Sequence, residues 1–402
     1  MLKSEKNLNR ICPVCHCKTG NVLHTQKFAL SDNHILPKVY DVVACSVCGF
    51  VFADTTAGQV QYDVFYRDFS KYEDLTISSG GGLCEWDKNR LSEAAKWIDN
   101  AIDNKSASIL DIGCANGGLL NEMRKLSYDN LTGIDPSPSC VIYVSNIGIE
   151  CFNGSLFNYA ALPADKKYDC IFLSHVLEHV YDLDRAIVAV TKILNPHGFL
   201  YIEVPDASRY SEYYIAPFSY FDIEHINHFD ESSLLNLFRN EGYIATKLVK
   251  KVIQVSSTNQ YPAIGLLLRI SAKDIITRPN KILNDSACKD IKAYISMSLE
   301  NDYHDQIDAL ANSNEAIIIW GAGSYTLRLL ETTLLGKCVI NAFVDSDKSK
   351  QGQDMYGKPI VSPESLVNIP TLCPIVVCSA LYSTDILHQI YSMNIQNRVL
   401  IA

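Results

Sequence analysis

No apolar run in the 402-residue chain approaches the ~20 residues needed to cross a membrane. The first ten residues, Met1-Leu-Lys-Ser-Glu-Lys-Asn-Leu-Asn-Arg10, are charged and lack the apolar centre of a secretory signal. Positive charge is also short: 35 Lys and Arg face 45 Asp and Glu, a formal net charge of −10. Nucleic-acid binders normally display a basic footprint. These absences lead to the expectation of a cytoplasmic protein with neither a membrane nor a nucleic acid as partner. What is present, 48% hydrophobic and 20% charged residues, describes a globular chain with ample core. Its length calls for two or three domains.

Fourteen cysteines in a chain of this size, without an export signal, point to metal binding or plain burial rather than disulfides. Cys12-Pro-Val-Cys15 and Cys45-Ser-Val-Cys48 are two CxxC knuckles, each presenting two thiolates to one ion. Four thiolates satisfy tetrahedral zinc and leave no open position, so the expected role is structural. Cys17 and His16 beside the first knuckle are alternative ligands, and a hairpin around Phe28 to Val43 fills the gap between pairs. Residues 1–57 are too small a unit to bury a core alone, which is where a metal contributes. Residues 58–105 read as a polar, aromatic connector with Tyr62, Tyr66 and Tyr72. Glycines at 80–82 give it a lid-like character, and Trp86 to Ile102 follows as an amphipathic helix.

Ile109-Leu-Asp-Ile-Gly-Cys-Ala-Asn-Gly-Gly118 is a strand end, a glycine turn and the start of a helix. That opening belongs to doubly wound α/β domains, where a ligand approaches the backbone. Leu131-Thr-Gly-Ile-Asp135 is a second strand ending in a carboxylate, where a ribose is usually held. Tyr168-Asp-Cys-Ile-Phe-Leu-Ser-His-Val-Leu-Glu-His179 and Leu194-Asn-Pro-His-Gly-Phe-Leu-Tyr-Ile-Glu-Val-Pro205 continue the series. In this order the motifs resemble a class I S-adenosylmethionine-dependent methyltransferase, over about 106–273. The resemblance implies an α/β fold with a central Rossmann-like domain and S-adenosylmethionine as cofactor. It places Asp111, Gly113, Cys114, Ala115, Gly117, Asp135, Pro136, Ser155, Leu156, Ser174 and His175 around that cofactor. Ser155 stands where related sequences often carry an acidic residue against adenine. His179 is read as packing or capping the next helix.

Ser219-Tyr-Phe-Asp-Ile-Glu-His-Ile-Asn-His-Phe229 follows the fifth strand and concentrates titratable groups. Glu224 beside His225 can fix its tautomer or raise its basicity. Two roles stay open for His225, proton-removing base or brace for a substrate loop; His228 is expected to be structural. Closing strands are expected in 252–271 and a helical bridge in 274–314. Ala316-Ile-Ile-Ile-Trp-Gly-Ala-Gly-Ser324 then opens a second strand–turn–helix in 315–402, a small Rossmann-like domain with or without its own ligand.

The whole order, a CxxC…CxxCG start, a class I centre and a Rossmann-like end, resembles the sugar C-methyltransferases of deoxysugar pathways. Asp345-Ser-Asp-Lys-Ser-Lys-Gln-Gly-Gln-Asp-Met-Tyr-Gly-Lys-Pro-Ile360 resembles that family's closing pattern. The resemblance implies a nucleotide-linked sugar as substrate, served by Glu224, His225 and Tyr66, with the C-terminal domain helping to hold it. Asp222 replaces a family tyrosine, and Gly321-Ala-Gly-Ser324 shortens a family turn, both where substrate would be read. Wider relatives include O-directed enzymes, so carbon and oxygen both stand as acceptors, carbon favoured. An RNA methyltransferase is opposed by the acidic balance, and a non-catalytic binding protein by the presence of Asp111, Gly113 and Asp135. A monomer or homodimer is expected.

Overall fold

The computed structural model describes residues 5–68, 81–82, 84–102, 104–163, 165–270, 285–302, 304–368 and 373–402. Tyr72, the connector's remaining residues up to Gly80, and the stretch from Ser271 to Asn284 lie outside these. Three sheets organise the described residues.

The first sheet begins with β1 (Glu5–Asn7), β2 (Thr19–Lys27), β3 (Val39–Cys45) and β4 (Val51–Asp54). The β2–β3 hairpin fills the gap between the cysteine pairs, as the spacing suggested. Its fifth strand comes from far away. β10 (Asn227–His228), inside the titratable insertion, pairs antiparallel with β4 through Asn227 against Phe52 and His228 against Val51. The N-terminal unit and the insertion therefore share one hydrogen-bonded sheet.

The connector opens as a helix rather than a loose segment: α1 (Gln59–Asp68) buries Tyr62 and turns Tyr66 toward the centre of the chain. α2 (Glu85–Asp99) buries Leu91, Ala94, Ala95 and Ile98 as its periodicity predicts. The central sheet runs β11-β12-β9-β8-β5-β6-β7. Its parallel part is β5 (Ile109–Ile112), β6 (Leu131–Asp135), β7 (Glu150–Asn153), β8 (Tyr168–Ser174) and β9 (Leu194–Pro205). β5, β6 and nearly all of β8 are buried, as expected of strands covered on both faces. α3 (Gly118–Lys125), α4 (Pro138–Asn146) and α5 (Leu183–Ile193) flank it. α4 starts cleanly because the Ser137 hydroxyl accepts from Cys140 N and Pro138 occupies the first turn. After β9 the chain passes through the insertion into α6 (Glu231–Asn240), which begins with a capping box between Asp230 and Ser233.

Two antiparallel strands close this sheet, β11 (Tyr243–Gln254) and β12 (Gln260–Ile270). β11 begins nine residues before the expected Val252. Its alternation is hidden by Lys247, Lys250 and Lys251, which lie on an edge strand largely open to solvent. The Leu177–His179 segment is an isolated 3₁₀ turn, separate from α5. α7 (Ser286–Asn301) and α8 (Asp305–Ser313) form the bridge. The last sheet has order β15-β16-β14-β13-β17-β18, where β15 is Asp354–Met355, β16 Lys358–Val361 and β18 Val399–Ile401, with α9 (Ser324–Thr332) and α10 (Ser383–Ser392) beside it. Its core strands β13 (Ala316–Trp320), β14 (Val339–Val344) and β17 (Ile375–Val377) pair in parallel.

Candidate active site

In the central sheet the strand order reverses between β5 and β8, so the crevice at their carboxyl ends is where a ligand binds in open α/β sheets. A cavity of about 590 Å³ opens there, within the usual range for small-molecule sites. Asp111, Gly113, Cys114, Ala115, Asp135, Pro136, Ser155, Leu156, Ser174, His175, Glu224, His225 and Tyr66 all line it. Gly117 does not; it is the N-cap of α3 at φ 68° and serves the backbone, while Gly118 reaches the wall.

The turn after β5 takes positive φ at Gly113 (73°), Ala115 (46°) and Gly117 (68°). Ala115 stands where a glycine is easiest, and an L-residue there carries steric cost. It is held by Asp135, whose carboxylate accepts from Ala115 N at 2.8 Å and from Ser137 N at 2.9 Å. Asp135 thus shapes the turn and still faces the cavity. Burial first, and then the Asp135 charge, push the Asp111 carboxyl up to about 8, with Arg90 pulling the other way. On the cavity wall after β7, Ser155 is occupied locally: its N donates to the Asn158 carbonyl and its hydroxyl accepts from Phe157 N. Leu156 is buried beside it.

His175 has both ring nitrogens turned to carboxylates, Nδ1 3.1 Å from Glu178 and Nε2 3.2 Å from Glu203. Burial opposes its charge, but the two carboxylates raise its pKa. Both ring nitrogens are thus committed to carboxylates while the residue still lines the cavity. Glu203, fully buried, also meets Lys251, the Tyr201 hydroxyl and Arg90, the last at 3.1 Å. Burial would neutralise it, yet Lys251, His175 and Arg90 hold it well below the ordinary carboxylate range. Sequence reasoning passed over this centre. Its signal was a glutamate between Ile202 and Val204 in an otherwise apolar strand.

The second wall comes from the insertion. Asp222 accepts from Glu224 N and His225 N, each at 2.7 Å, so it caps the turn that presents the Glu-His pair. Ile226 N donates to the Glu178 carbonyl, and the Asn227 amide donates to the carbonyls of Leu177 and Val180. These straps set His179 against His225, ring centroids 4.8 Å apart. His179 Nδ1 lies 2.8 Å from the Tyr66 hydroxyl and 3.2 Å from the Glu224 carbonyl. His179 is therefore in the site, where the sequence suggested packing. His228 is fully buried, with burial driving its pKa to about 3, so it is neutral.

At the first sheet, Cys12 and Cys48 Sγ are 3.5 Å apart, Cys15 and Cys45 Sγ 3.4 Å, and all four lie within 4.8 Å of one another. A zinc tetrahedron with ~2.3 Å Zn–S bonds has edges of ~3.8 Å, so the four sulfurs fit that ion. Cys17 turns to Thr19, and His16 faces Asp184.

A glycine turn under an aspartate-tipped second strand, at the switch point of a seven-stranded sheet, now stands beside matches to known proteins. The centre of the chain is similar to a known methyltransferase domain. Residues 86–248 match the family described by that name, and residues 313–401 match one described as C2185-like, N-terminal. EEF1A lysine methyltransferase 2 of Danio rerio is 29% identical over 101 residues, 25% of this chain and 42% of the relative. The ubiquinone biosynthesis O-methyltransferase of Dechloromonas aromatica is 28% identical over 113 residues, 26% and 47% respectively. The chain spans under half the length of these relatives. Among solved structures, the 1,6-didemethyltoxoflavin-N1-methyltransferase of Burkholderia thailandensis is 17% identical, covering 56% of this chain and 97% of its own, with a TM-score of 0.40. Asp111, Gly113, Ala115 and Asp135 lie within the matched residues 86–248, while Tyr66 and Leu381 reach the cavity from outside them. Among the described residues no helix is long and apolar enough to cross a membrane.

Proposed function

We propose that the chain is an S-adenosylmethionine-dependent methyltransferase acting on a nucleotide-linked sugar, with carbon favoured over oxygen as acceptor. The observation carrying this reading is the pairing of two walls in one cavity. Asp135 and the Gly113 turn form one, and Tyr66, His179, Glu224 and His225 form the other. The bound cofactor supplies an electrophilic methyl on its sulfonium. Asp135 holds its ribose hydroxyls, and Leu156 covers its adenine.

The protein's remaining task is to align the acceptor and take one proton. His225 accepts that proton on a ring nitrogen, from a carbon beside a ketone or from a hydroxyl. Glu224 and His179 orient it, and the Tyr66 hydroxyl completes the wall. Cys12, Cys15, Cys45 and Cys48 hold a structural zinc that stiffens the sheet to which β10 belongs. The C-terminal domain, reaching the cavity through Leu381, helps hold the nucleotide.

The test is transfer of labelled methyl to a panel of nucleotide-linked keto-sugars, with His225→Ala alongside. The expected outcome is a product with one sugar and a turnover loss of about 10²–10⁴ in the variant. Solvent deuterium entering beside the ketone without methyl donor marks the carbon route. Transfer only to acceptors lacking a nucleotide refutes the sugar assignment.

A further inference from the structure

Glu178 is buried to 1% exposure in the turn after β8, and the role assigned to His225 gives it no task. One of its carboxylate oxygens meets His175 Nδ1 at 3.1 Å and lies 4.0 Å from His179 Nε2. A Glu178 oxygen and one ring nitrogen each of His179 and His225 lie within 4.8 Å of one another. Its second oxygen is buried without a hydrogen-bond partner. An unpaired buried carboxylate is costly unless positive charge surrounds it.

We propose that Glu178 is a positioning residue for methyl transfer, the fixed counter-charge against which His225, with His179 beside it, takes up the substrate proton. This rests on the base assignment for His225. The surroundings support a permanent anion. Burial disfavours the charge, but His175, His179 and His225 hold the carboxyl below its ordinary value. Tyr66 on α1, Tyr210 after β9 and Tyr261 on β12 also face it, each held neutral by burial. Asp222 is a further carboxylate acting on His225 and His179, and Glu224, next to His225, lines the same cavity. His175 fixes Glu178 to Glu203, so the anion cannot swing away as the proton arrives.

An anion a few ångströms from an imidazole favours its protonated form. Removing the Glu178 charge lowers the basicity of the histidine pair; removing the His175 cation raises it. Folded Glu178→Gln, isosteric and still able to accept from His175, should move the acid limb of the kcat/KM profile down by about one pH unit. Its plateau rate should fall about tenfold or more, with cofactor affinity within about twofold of wild type. His175→Gln should move the same limb upward.

Opposite displacements are a signature that general loosening of the site does not produce. Acid limbs that stay put, or that both move the same way, overturn the role of Glu178. If Glu178→Gln does not fold, His175→Gln alone decides by the direction of its shift. His225→Ala separates the two levels: near-native turnover there removes the base assignment itself, whatever Glu178 does.

Discussion

The Arg10 guanidinium, from the first sheet, donates to the backbone carbonyl of Tyr181 at 2.6 Å. The same side chain donates to the carbonyls of Val180 and Ile226, while its backbone N donates to Asp54. It also lies over the Tyr181 ring at 4.7 Å. Burial lowers its pKa to about 10, so it remains cationic at neutral pH. One side chain thereby bolts the N-terminal sheet to the two segments carrying His179 and His225.

Arg10→Met is accordingly expected to cost about 2–4 kcal/mol, because the partner carbonyls lose charge-assisted donors. Turnover should fall further than cofactor affinity, since the acceptor wall loosens first. Thermal denaturation together with calorimetry of cofactor binding measures both. Equal losses in the two would contradict this division.

Purified without chelator, the protein should contain one zinc per chain. Cys45→Ser should lose it, together with hydrogen-exchange protection in β10 as well as in β3 and β4. That spread follows from the β4–β10 pairing. Elemental analysis and exchange mass spectrometry read it. A zinc-free wild type, or a protected β10 in the variant, rejects the coupling.

Asp135→Ala should weaken S-adenosylmethionine by about 10- to 100-fold, the worth of hydrogen bonds to a charged group. Part of the loss comes from the turn, since Ala115 N and Ser137 N lose their acceptor. Isothermal titration is the measurement. Unchanged affinity would exclude Asp135 from the ribose contact.

Cofactor binding should depend on pH through Asp111. Its carboxyl, pushed up to about 8, is largely protonated at neutrality in the free protein. A bound cation nearby favours the ionised form, so affinity should rise as pH increases toward 8 and then level off. Proton release on binding, read by calorimetry in buffers of different ionisation enthalpy, checks this. The free protein follows the opposite sign. A folded pKa raised above the unfolded value means stability is greatest below ~4 and declines as pH rises through 8. Asp111→Asn should flatten both dependences.

Much of the fold was legible in the residues alone. The Gly113–Gly118 turn, the Asp135 tip, the amphipathic α2 and the two CxxC knuckles follow from local rules of spacing and backbone sterics. Such rules act within a few residues and need no partner. Which residues of the Gly113 turn and the strand ends line the cavity was legible for the same reason, apart from Gly117. The tertiary structure alone decided the rest. Arg10 meets Tyr181 across 171 positions of chain, and β10, from the insertion, joins β4 of the N-terminal unit. His179 becomes part of the site only because Ile226 and Asn227 strap its turn to the insertion. The Glu203 centre needs cations from α2 and β11 to carry a buried charge. Each of these depends on which distant groups are available to satisfy a buried polar atom, and that partner is set by packing rather than by neighbouring sequence.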